Sequence, residues 1–197
     1  MNKYEGGIEI VSGKLAFPLA PRVADINIKD IAHALGNKCR YTGHCREFYS
    51  IAQHSVIVSE LVDRRLALAG LLHDSSEYLL PDVSTPVKPR LKGFKEIEEG
   101  VLDAVFKKFG LMAIRCNQED MAEIKKADWY SMALEVRDLM HADNEYWAQW
   151  PLPDIDPHFY DCDLTNPWGP KESREKFMDR YEYLTGVAAE AARNAGY

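Results

Sequence analysis

Four histidine and aspartate side chains have the residue types and settings that could bind a metal ion. They are His54, the adjacent pair His73 and Asp74, and Asp128. Imidazole nitrogens and carboxylate oxygens hold divalent ions such as Zn²⁺, Mn²⁺, Co²⁺, Fe²⁺ and Mg²⁺ in catalytic sites. Each of the four lies among apolar residues, where an unpartnered polar group is costly and a metal is an economical partner. Taken singly, each could instead be a hydrogen-bonded or paired core residue.

A further carboxylate, Glu77, follows Asp74 by three residues. Together with the His73-Asp74 pair it places three ionisable groups within one turn of a predicted half-buried helix. A purely structural role does not readily explain three ionisable side chains so close together. The triplet therefore strengthens the prediction of a functional site.

The spacing of apolar residues predicts that these candidates lie on helices. Helices are expected over residues 28–35, 47–62, 64–80, 95–109, 118–142 and 171–194. The first begins after the N-cap residue Asn27 and is expected to stop at Gly36. Residues 81–94 hold three prolines and a glycine, which predicts a loop, and residues 143–170, including His158, form an irregular crossover.

Two short apolar runs flank Ser12 and Gly13 and predict a β-hairpin within residues 7–19, closed by a two-residue turn. The predicted fold is therefore all-α with a small N-terminal β-hairpin. The 197 residues suit a single domain. We divide it into the hairpin and lead-in (1–26), the metal-binding helical core (27–142), and the crossover with the C-terminal helix (143–197).

Composition and charge exclude several kinds of partner. The chain has 24 Lys and Arg against 31 Asp and Glu, a net charge of −7, so no nucleic-acid polymer is expected to bind. No uncharged stretch approaches the roughly 20 residues that span a membrane. The four cysteines are scattered without a C-x-x-C pair, which favours a reducing compartment. The predicted location is the cytoplasm, or the host cytoplasm if the protein is viral.

The order and setting of these residues resemble a known superfamily. The order His, His-Asp, Asp resembles the HD-domain phosphohydrolases, which are helical and metal-dependent. HDSSEYLLPDVSTPVK at residues 73–88 is similar to bacterial 5′-deoxynucleotidases. CRYTGHCREFYSIAQHS at residues 39–55 is similar to the branch that includes phage dATP triphosphohydrolases. The resemblance extends from about residue 21 to residue 140.

The resemblance implies a role for each matching residue. The four metal ligands would be His54, His73, Asp74 and Asp128, with one divalent ion (Co, Mn, Zn, Fe or Mg) as the cofactor. Glu77 would transfer protons, and a solvent-facing helical glutamate is its structural alternative. Asp82 would support the site and contact the sugar or the attacking water, and a turn carboxylate after Pro81 is the alternative.

Three more residues are implied to contact the substrate. Arg40 matches a phosphate-binding arginine, since a guanidinium can bind phosphate through two hydrogen bonds. Tyr41 occupies the place of an aromatic residue that excludes the ribose 2′-hydroxyl, and Lys88 would face phosphate. Four tryptophans are expected in the core or at subunit contacts, and the roles of three polar residues stay open. These are Trp129, Trp147, Trp150 and Trp168, and His44, Arg90 and Lys92.

The function implied by the resemblance is hydrolysis of a deoxynucleotide. The leading expectation is a dATP triphosphohydrolase, which converts dATP and water to deoxyadenosine and triphosphate and depletes the dATP pool in a phage-type metabolism. The alternative is a 5′-deoxynucleotidase acting on monophosphates. A cyclic-nucleotide or alarmone hydrolase is less favoured, and a non-catalytic HD-type nucleotide-binding protein is the alternative from another class. A homo-oligomer, either a dimer or a hexamer, is expected, with a deoxynucleotide substrate and no membrane partner.

Overall fold

Helices dominate the architecture, and a small two-stranded sheet lies at its N-terminal end. The computed structural model describes residues 6–150, 152–154 and 162–194, with side chains as far as residue 186. The two strands, β1 (Ile8–Glu9) and β2 (Leu15–Ala16), pair antiparallel. These elements confirm the predicted all-α fold with a small hairpin.

Within the described residues, seven α-helices follow the hairpin. They are α1 (Ile28–Asn37), α2 (Ile51–Leu61), α3 (Ala67–Leu72), α4 (Phe94–Lys108), α5 (Met112–Arg115), α6 (Gln118–Leu139) and α7 (Pro170–Asn194). Short 3₁₀ turns occur at Val23–Asp25, Tyr41–Gly43, Ser75–Tyr78, Lys88–Arg90 and Trp147–Gln149. Helix α2 packs against α1, α3, α6 and α7, so it forms the centre of the helical body. No described helix combines the length and the apolar character needed to cross a membrane.

The connection of the hairpin is longer than the sequence predicts. The Ile10 N–H donates to Lys14 O at 2.9 Å and the Gly13 N–H donates to Ile10 O at 2.8 Å. The connection therefore has three residues, 11–13, and the expected two-residue turn is wrong. Gly13 takes the left-handed position with φ 74°, which glycine adopts without strain. The Ser12 hydroxyl donates to Asp30 of α1 at 3.1 Å and anchors the hairpin on the helical body.

Helix α1 does not stop at Gly36 as predicted but continues to Asn37. The glycine serves a contact between helices instead. A Cβ atom at Gly36 would lie 3.1 Å from Pro170 O and 3.2 Å from Arg174 Cβ, both at the start of α7. Because glycine lacks that atom, α1 and α7 can approach closely.

The predicted helix over residues 64–80 is broken in the structure. Helix α3 ends at Leu72, Asp74 leaves helical geometry with φ −99° and ψ 15°, and a 3₁₀ turn follows at Ser75–Tyr78. Helix α2 also begins later than residue 47, because the Ser50 side chain accepts from Gln53 N at 3.0 Å and caps its N-terminus. The break at Asp74 places the His-Asp pair at a junction between two elements.

Apolar side chains surround α2 on every side. Residues 51–59 of this helix are all buried. One apolar cluster joins α2 to α1, α3, α4 and α7, and a smaller one joins it to the end of α6 and to Leu164. His54, on α2, is therefore held deep in the protein by its neighbours.

Candidate metal centre

Three of the predicted ligands converge on one point. His54 comes from α2, and His73 and Asp74 come from the junction after α3. The Nε2 atoms of the two histidines are 3.2 Å apart. The Asp74 Oδ2 atom lies 3.5 Å from His54 Nε2 and 3.3 Å from His73 Nε2. All three ligand atoms lie within 4.8 Å of one another, so this cluster could hold a divalent metal ion.

Hydrogen bonds at the Nδ1 atom of each histidine ring determine which ring nitrogen carries the hydrogen and which one faces the cluster. His73 Nδ1 lies 2.8 Å from the carbonyl oxygen of Gly70, which can only accept, so Nδ1 carries the hydrogen. His54 Nδ1 lies 2.7 Å from a carboxylate oxygen of Glu135 and donates to it in the same way. When both rings are neutral, each presents a bare Nε2 lone pair to the other ring and to Asp74. These lone pairs repel unless a positive charge lies among them, and a metal ion fits that requirement.

The pKa values of His54 and Asp74 also indicate that the cluster favours a positive charge. Burial and the nearby Arg40 both lower the pKa of His54, but Glu135 and Asp128 outweigh them and raise that pKa to about 9. Burial would raise the pKa of Asp74, yet the two histidines hold it well below its usual range. The cluster thus attracts a cation, whether a proton or a metal ion.

The fourth predicted ligand, Asp128 on α6, lies beside the cluster. Its Oδ1 atom is 3.3 Å from His54 Nε2, and its Oδ2 atom accepts from Lys125 Nζ at 2.6 Å. Burial opposes ionisation, but the hydrogen bond to His54 holds the pKa of Asp128 well below its usual range. Among the described residues, the mutually close ligand set is formed by the other three and does not include Asp128. Its role as a ligand stays a prediction.

A buried carboxylate that the sequence analysis missed organises the site from behind. Glu135 has no exposed surface, and five side chains lie within hydrogen-bonding distance of it. These partners are Arg40 (3.2 Å), Tyr41 (2.6 Å), Tyr49 (3.0 Å), His54 (2.7 Å) and Ser131 (3.0 Å). Burial opposes ionisation, but Arg40 and His54 lower the pKa of Glu135 to about 2. The spacing of Asp128, Ser131 and Glu135 by three and four residues is a signal that could have found it.

Glu77 lies on the 3₁₀ turn after the metal cluster and is buried, with 9% of its surface exposed. The solvent-facing alternative is therefore wrong. Its Oε2 atom is buried and has no hydrogen-bond partner within the part of the chain that the structure describes. Burial, then the neighbouring Asp74 and Asp82, raise the pKa of Glu77 well above its usual value. Lys38, also missed from the sequence, donates to the main-chain oxygens of Glu77 and Leu80 and holds this turn in place.

The loop carrying Arg40 and Tyr41 has an unusual backbone. Tyr41 and Thr42 both have φ 53°, in the left-handed region that side chains other than glycine rarely adopt. Each such residue costs about 1–3 kcal/mol, and such strain clusters at functional sites. The hydrogen bond from the Tyr41 hydroxyl to Glu135 helps to hold this conformation. It leaves Arg40 Nη1 3.5 Å from Asp74 Oδ2, next to the cluster.

A cavity of about 310 Å³ is lined by Arg40 but by none of the four predicted metal ligands. Predicted substrate residues Tyr41 and Asp82 line it, as does His44. Trp147 and Trp150 also line it and are only partly buried, so they do not belong to the core. The other expectation for them, a subunit contact, stays a prediction. Trp168 does pack against the main apolar cluster. The residue His158 lies outside the described residues.

A second cavity, of about 250 Å³, is walled by the metal cluster itself. His73, Asp74 and Asp128 line it together with the predicted phosphate residue Lys88. Lys88 Nζ pairs with Glu98 at 2.6 Å, and Arg115 pairs with Asp103 at 2.8 Å and with Glu99. Among the described residues, neither Arg90 nor Lys92 lines either of these two cavities. The cations at this cavity are thus already neutralised by carboxylates.

Two curated bacterial proteins are similar to this chain. YfdR of Escherichia coli K12 is 36% identical over 180 residues, which are 90% of this chain and 95% of YfdR. A protein of Rhodobacter capsulatus is 39% identical over 140 residues, which are 66% of this chain and 71% of that protein. Both are described as uncharacterized proteins. No protein-family model matches the sequence.

Proposed function

The chain belongs to the same protein family as YfdR of Escherichia coli, and we propose that it is a metal-dependent phosphohydrolase of deoxynucleotides. The observation that carries the proposal is the convergence of two imidazole Nε2 atoms and a carboxylate beside a buried glutamate. A divalent ion bound by His54, His73 and Asp74 would supply positive charge to a phosphoryl oxygen and acidify a water molecule. Asp128 is proposed as its fourth ligand.

The residues around the cluster suit the rest of such a reaction. Glu77 Oε2 has no hydrogen-bond partner among the described residues, and in its ionised form this carboxylate can take a proton from the attacking water. Glu135 holds the Arg40 guanidinium through Nε, and Nη1 lies 3.5 Å from Asp74 Oδ2. The remaining N–H groups of Arg40 can bind a phosphate at the cluster. Water attacks the α-phosphorus, the bond from phosphorus to the sugar 5′-oxygen breaks, and that oxygen takes up a proton. The products are a nucleoside and the intact phosphate group or chain.

The charges at the second cavity bear on the length of the phosphate chain. The negative charge of a triphosphate beyond its α-phosphate has to be neutralised by cations. Lys88 and Arg115 are paired with carboxylates, and Glu98 and Glu99 add negative charge beside them. This arrangement favours a deoxynucleoside monophosphate as the substrate. The dATP triphosphohydrolase predicted from the sequence is kept as the second candidate.

Two further parts of the proposal follow from the sequence. The activity is placed in the cytoplasm, in keeping with the scattered cysteines, and the described cysteines are all free thiols. A non-catalytic nucleotide-binding protein is the competing function. Such a protein has no use for a buried unpartnered carboxyl beside a metal cluster, whereas a hydrolase does.

Product analysis tests the proposal directly. The purified protein, loaded with cobalt, is incubated separately with dAMP, dATP and ATP, and the products are separated by chromatography. Release of deoxyadenosine and phosphate from dAMP supports the monophosphate reaction. Release of deoxyadenosine and intact triphosphate from dATP supports the triphosphohydrolase instead. No product from any of the three nucleotides contradicts the proposal and favours the binding protein.

A further inference from the structure

The segment after α6 forms an aromatic lobe, which we define as residues 141–150. Its rings pack on one another. The ring centroids of Tyr146 and Trp147 are 5.0 Å apart, and those of Trp147 and Trp150 are 6.2 Å apart. The lobe contacts the helical body through Trp150 against Trp129 at 6.1 Å and through Trp147, edge to face, against Tyr41 at 6.3 Å.

The rings of this lobe border a cavity rather than fill the core. Tyr146, Trp147 and Trp150 line the 310 Å³ cavity, and Tyr146 keeps 46% of its surface exposed. Met132 of α6 and Met140 after it add further apolar surface. Large aromatic surfaces left uncovered around a concave site are typical of ligand binding.

Polar groups complete the wall of the cavity. Asp82, Ser84 and Thr85 from the loop before α4 line it together with Thr42 and His44. Ring faces combined with a few hydrogen-bonding groups suit a flat heteroaromatic ring, because the faces stack and the edge can form hydrogen bonds.

The position of the cavity relative to the metal cluster indicates which part of a ligand would lie in it. Arg40 lines the cavity, while its Nη1 atom lies 3.5 Å from Asp74 Oδ2. A ligand with its phosphate at the cluster can extend its other end into this cavity, whose wall is aromatic, whereas the second cavity is lined mostly by ionisable side chains. A nucleotide has a heteroaromatic base at that end.

We propose that this cavity binds the nucleobase of the substrate and that Trp147 is a specificity-determining residue that packs against the base. The assignment of the base rests on the proposed function, since that function places the phosphate. The cavity and the lobe are independent of it.

Kinetics with and without a base on the substrate test the assignment. The Trp147→Ala change is expected to raise KM for dAMP by about tenfold or more, because stacking on an aromatic side chain strengthens the binding of a base by about that factor. It leaves kcat within about threefold. Turnover of 2-deoxyribose 5-phosphate, which lacks the base, is expected to be unchanged. Trp147→Phe, which keeps a flat ring, is expected to recover most of the affinity.

Two further variants serve as a control and as an independent test. Tyr183→Ala removes an aromatic ring, 56% exposed, from α7, where it does not line the cavity, and is expected to change the turnover of neither substrate. Ser84→Trp adds a large ring to the cavity from the loop before α4, leaves the residues of the lobe unchanged, and is expected to weaken only the nucleotide reaction. This variant decides the matter if Trp147→Ala does not fold. Equal effects on the two substrates, or no effect of Trp147→Ala and Ser84→Trp, overturn the inference.

Equilibrium dialysis with labelled deoxyadenosine separates this inference from the proposed function. The wild-type protein is expected to bind the nucleoside and Trp147→Ala to bind it about tenfold more weakly, whether or not any phosphoester is hydrolysed. If wild type hydrolyses nothing but shows this difference, the proposed function fails and the base site stands. If wild type hydrolyses dAMP and both proteins bind the nucleoside equally, or neither binds it, the base site fails and the function stands.

Discussion

His54 is constrained at both ring nitrogens, and this sets its part in the cluster. Its Nδ1 atom lies 2.7 Å from Glu135 and 3.0 Å from Ser131, so its Nε2 atom is aimed at His73 and Asp74. A carboxylate behind a histidine fixes the tautomer and strengthens the ring as a metal ligand. Glu135 is thus a positioning residue for the proposed metal site.

Replacing Glu135 by glutamine should weaken metal binding without removing a ligand. The amide keeps the shape but not the charge behind His54, so the affinity for Co²⁺ or Mn²⁺ is expected to fall about 10–100-fold. Metal titration of the folded variant, with folding checked by circular dichroism, measures this. Tyr49→Phe, which removes one hydrogen bond to the same carboxylate, should have a much smaller effect. An unchanged affinity in Glu135→Gln would exclude the positioning role.

Glu77 presents a conflict between stability and activity. Its pKa is raised in the folded protein by burial and by neighbouring carboxylates. A carboxyl with a raised folded pKa loses stability as the pH rises above its unfolded pKa, because ionisation is then easier in the unfolded chain. We expect Glu77→Gln to raise Tm of the metal-free protein at neutral pH by about 2–4 °C and to flatten its pH dependence.

The same substitution should abolish most of the activity. Turnover of the preferred nucleotide is expected to fall by about 100-fold or more, since a proton-transfer group contributes 10²–10⁴-fold. Metal content should stay at the wild-type level because Glu77 is not in the ligand cluster. Thermal melting, metal analysis and steady-state kinetics on one preparation check all three. Full activity in Glu77→Gln would exclude the proton-transfer role.

The helices themselves were largely predictable, but their junctions were not. Apolar periodicity and capping residues such as Asn27 are local signals, and the helices they indicate are present. The break at Asp74 and the purpose of Gly36 depend on contacts with distant segments. The sequence alone does not distinguish a glycine that ends a helix from one that allows a second helix to approach closely.

Two glycine substitutions separate those purposes. Gly36→Ala places a methyl group about 3.1 Å from Pro170 O at the contact between α1 and α7, so it should destabilise the protein by about 1–3 kcal/mol. Gly100→Ala in α4, where a Cβ atom meets no described atom within 4 Å, should stabilise it by about 0.4–1 kcal/mol. Denaturant melts of both variants measure the difference. Equal stabilities would contradict the close-approach account.

Across the whole molecule, the site collects residues from three distant parts of the chain around the buried helix α2. Residue types predicted His54, His73, Asp74 and Asp128, and the structure brings the first three together. The supporting residues Glu135 and Lys38 and the aromatic cavity could not be predicted from local sequence, because their partners come from distant parts of the chain. The residues that could act on a substrate were predictable, whereas those that position them required the fold.

One measurement tests the central claim that this cluster binds a metal ion and uses it for hydrolysis. Metal content and nucleoside release from dAMP and dATP are determined on the same cobalt-loaded preparations of wild type and Asp74→Ala. We predict about one ion per chain with release of deoxyadenosine in wild type. Asp74→Ala should fold but lack both the ion and the turnover. An Asp74→Ala protein that keeps its metal and its activity, or a wild type that binds no ion, would contradict the account.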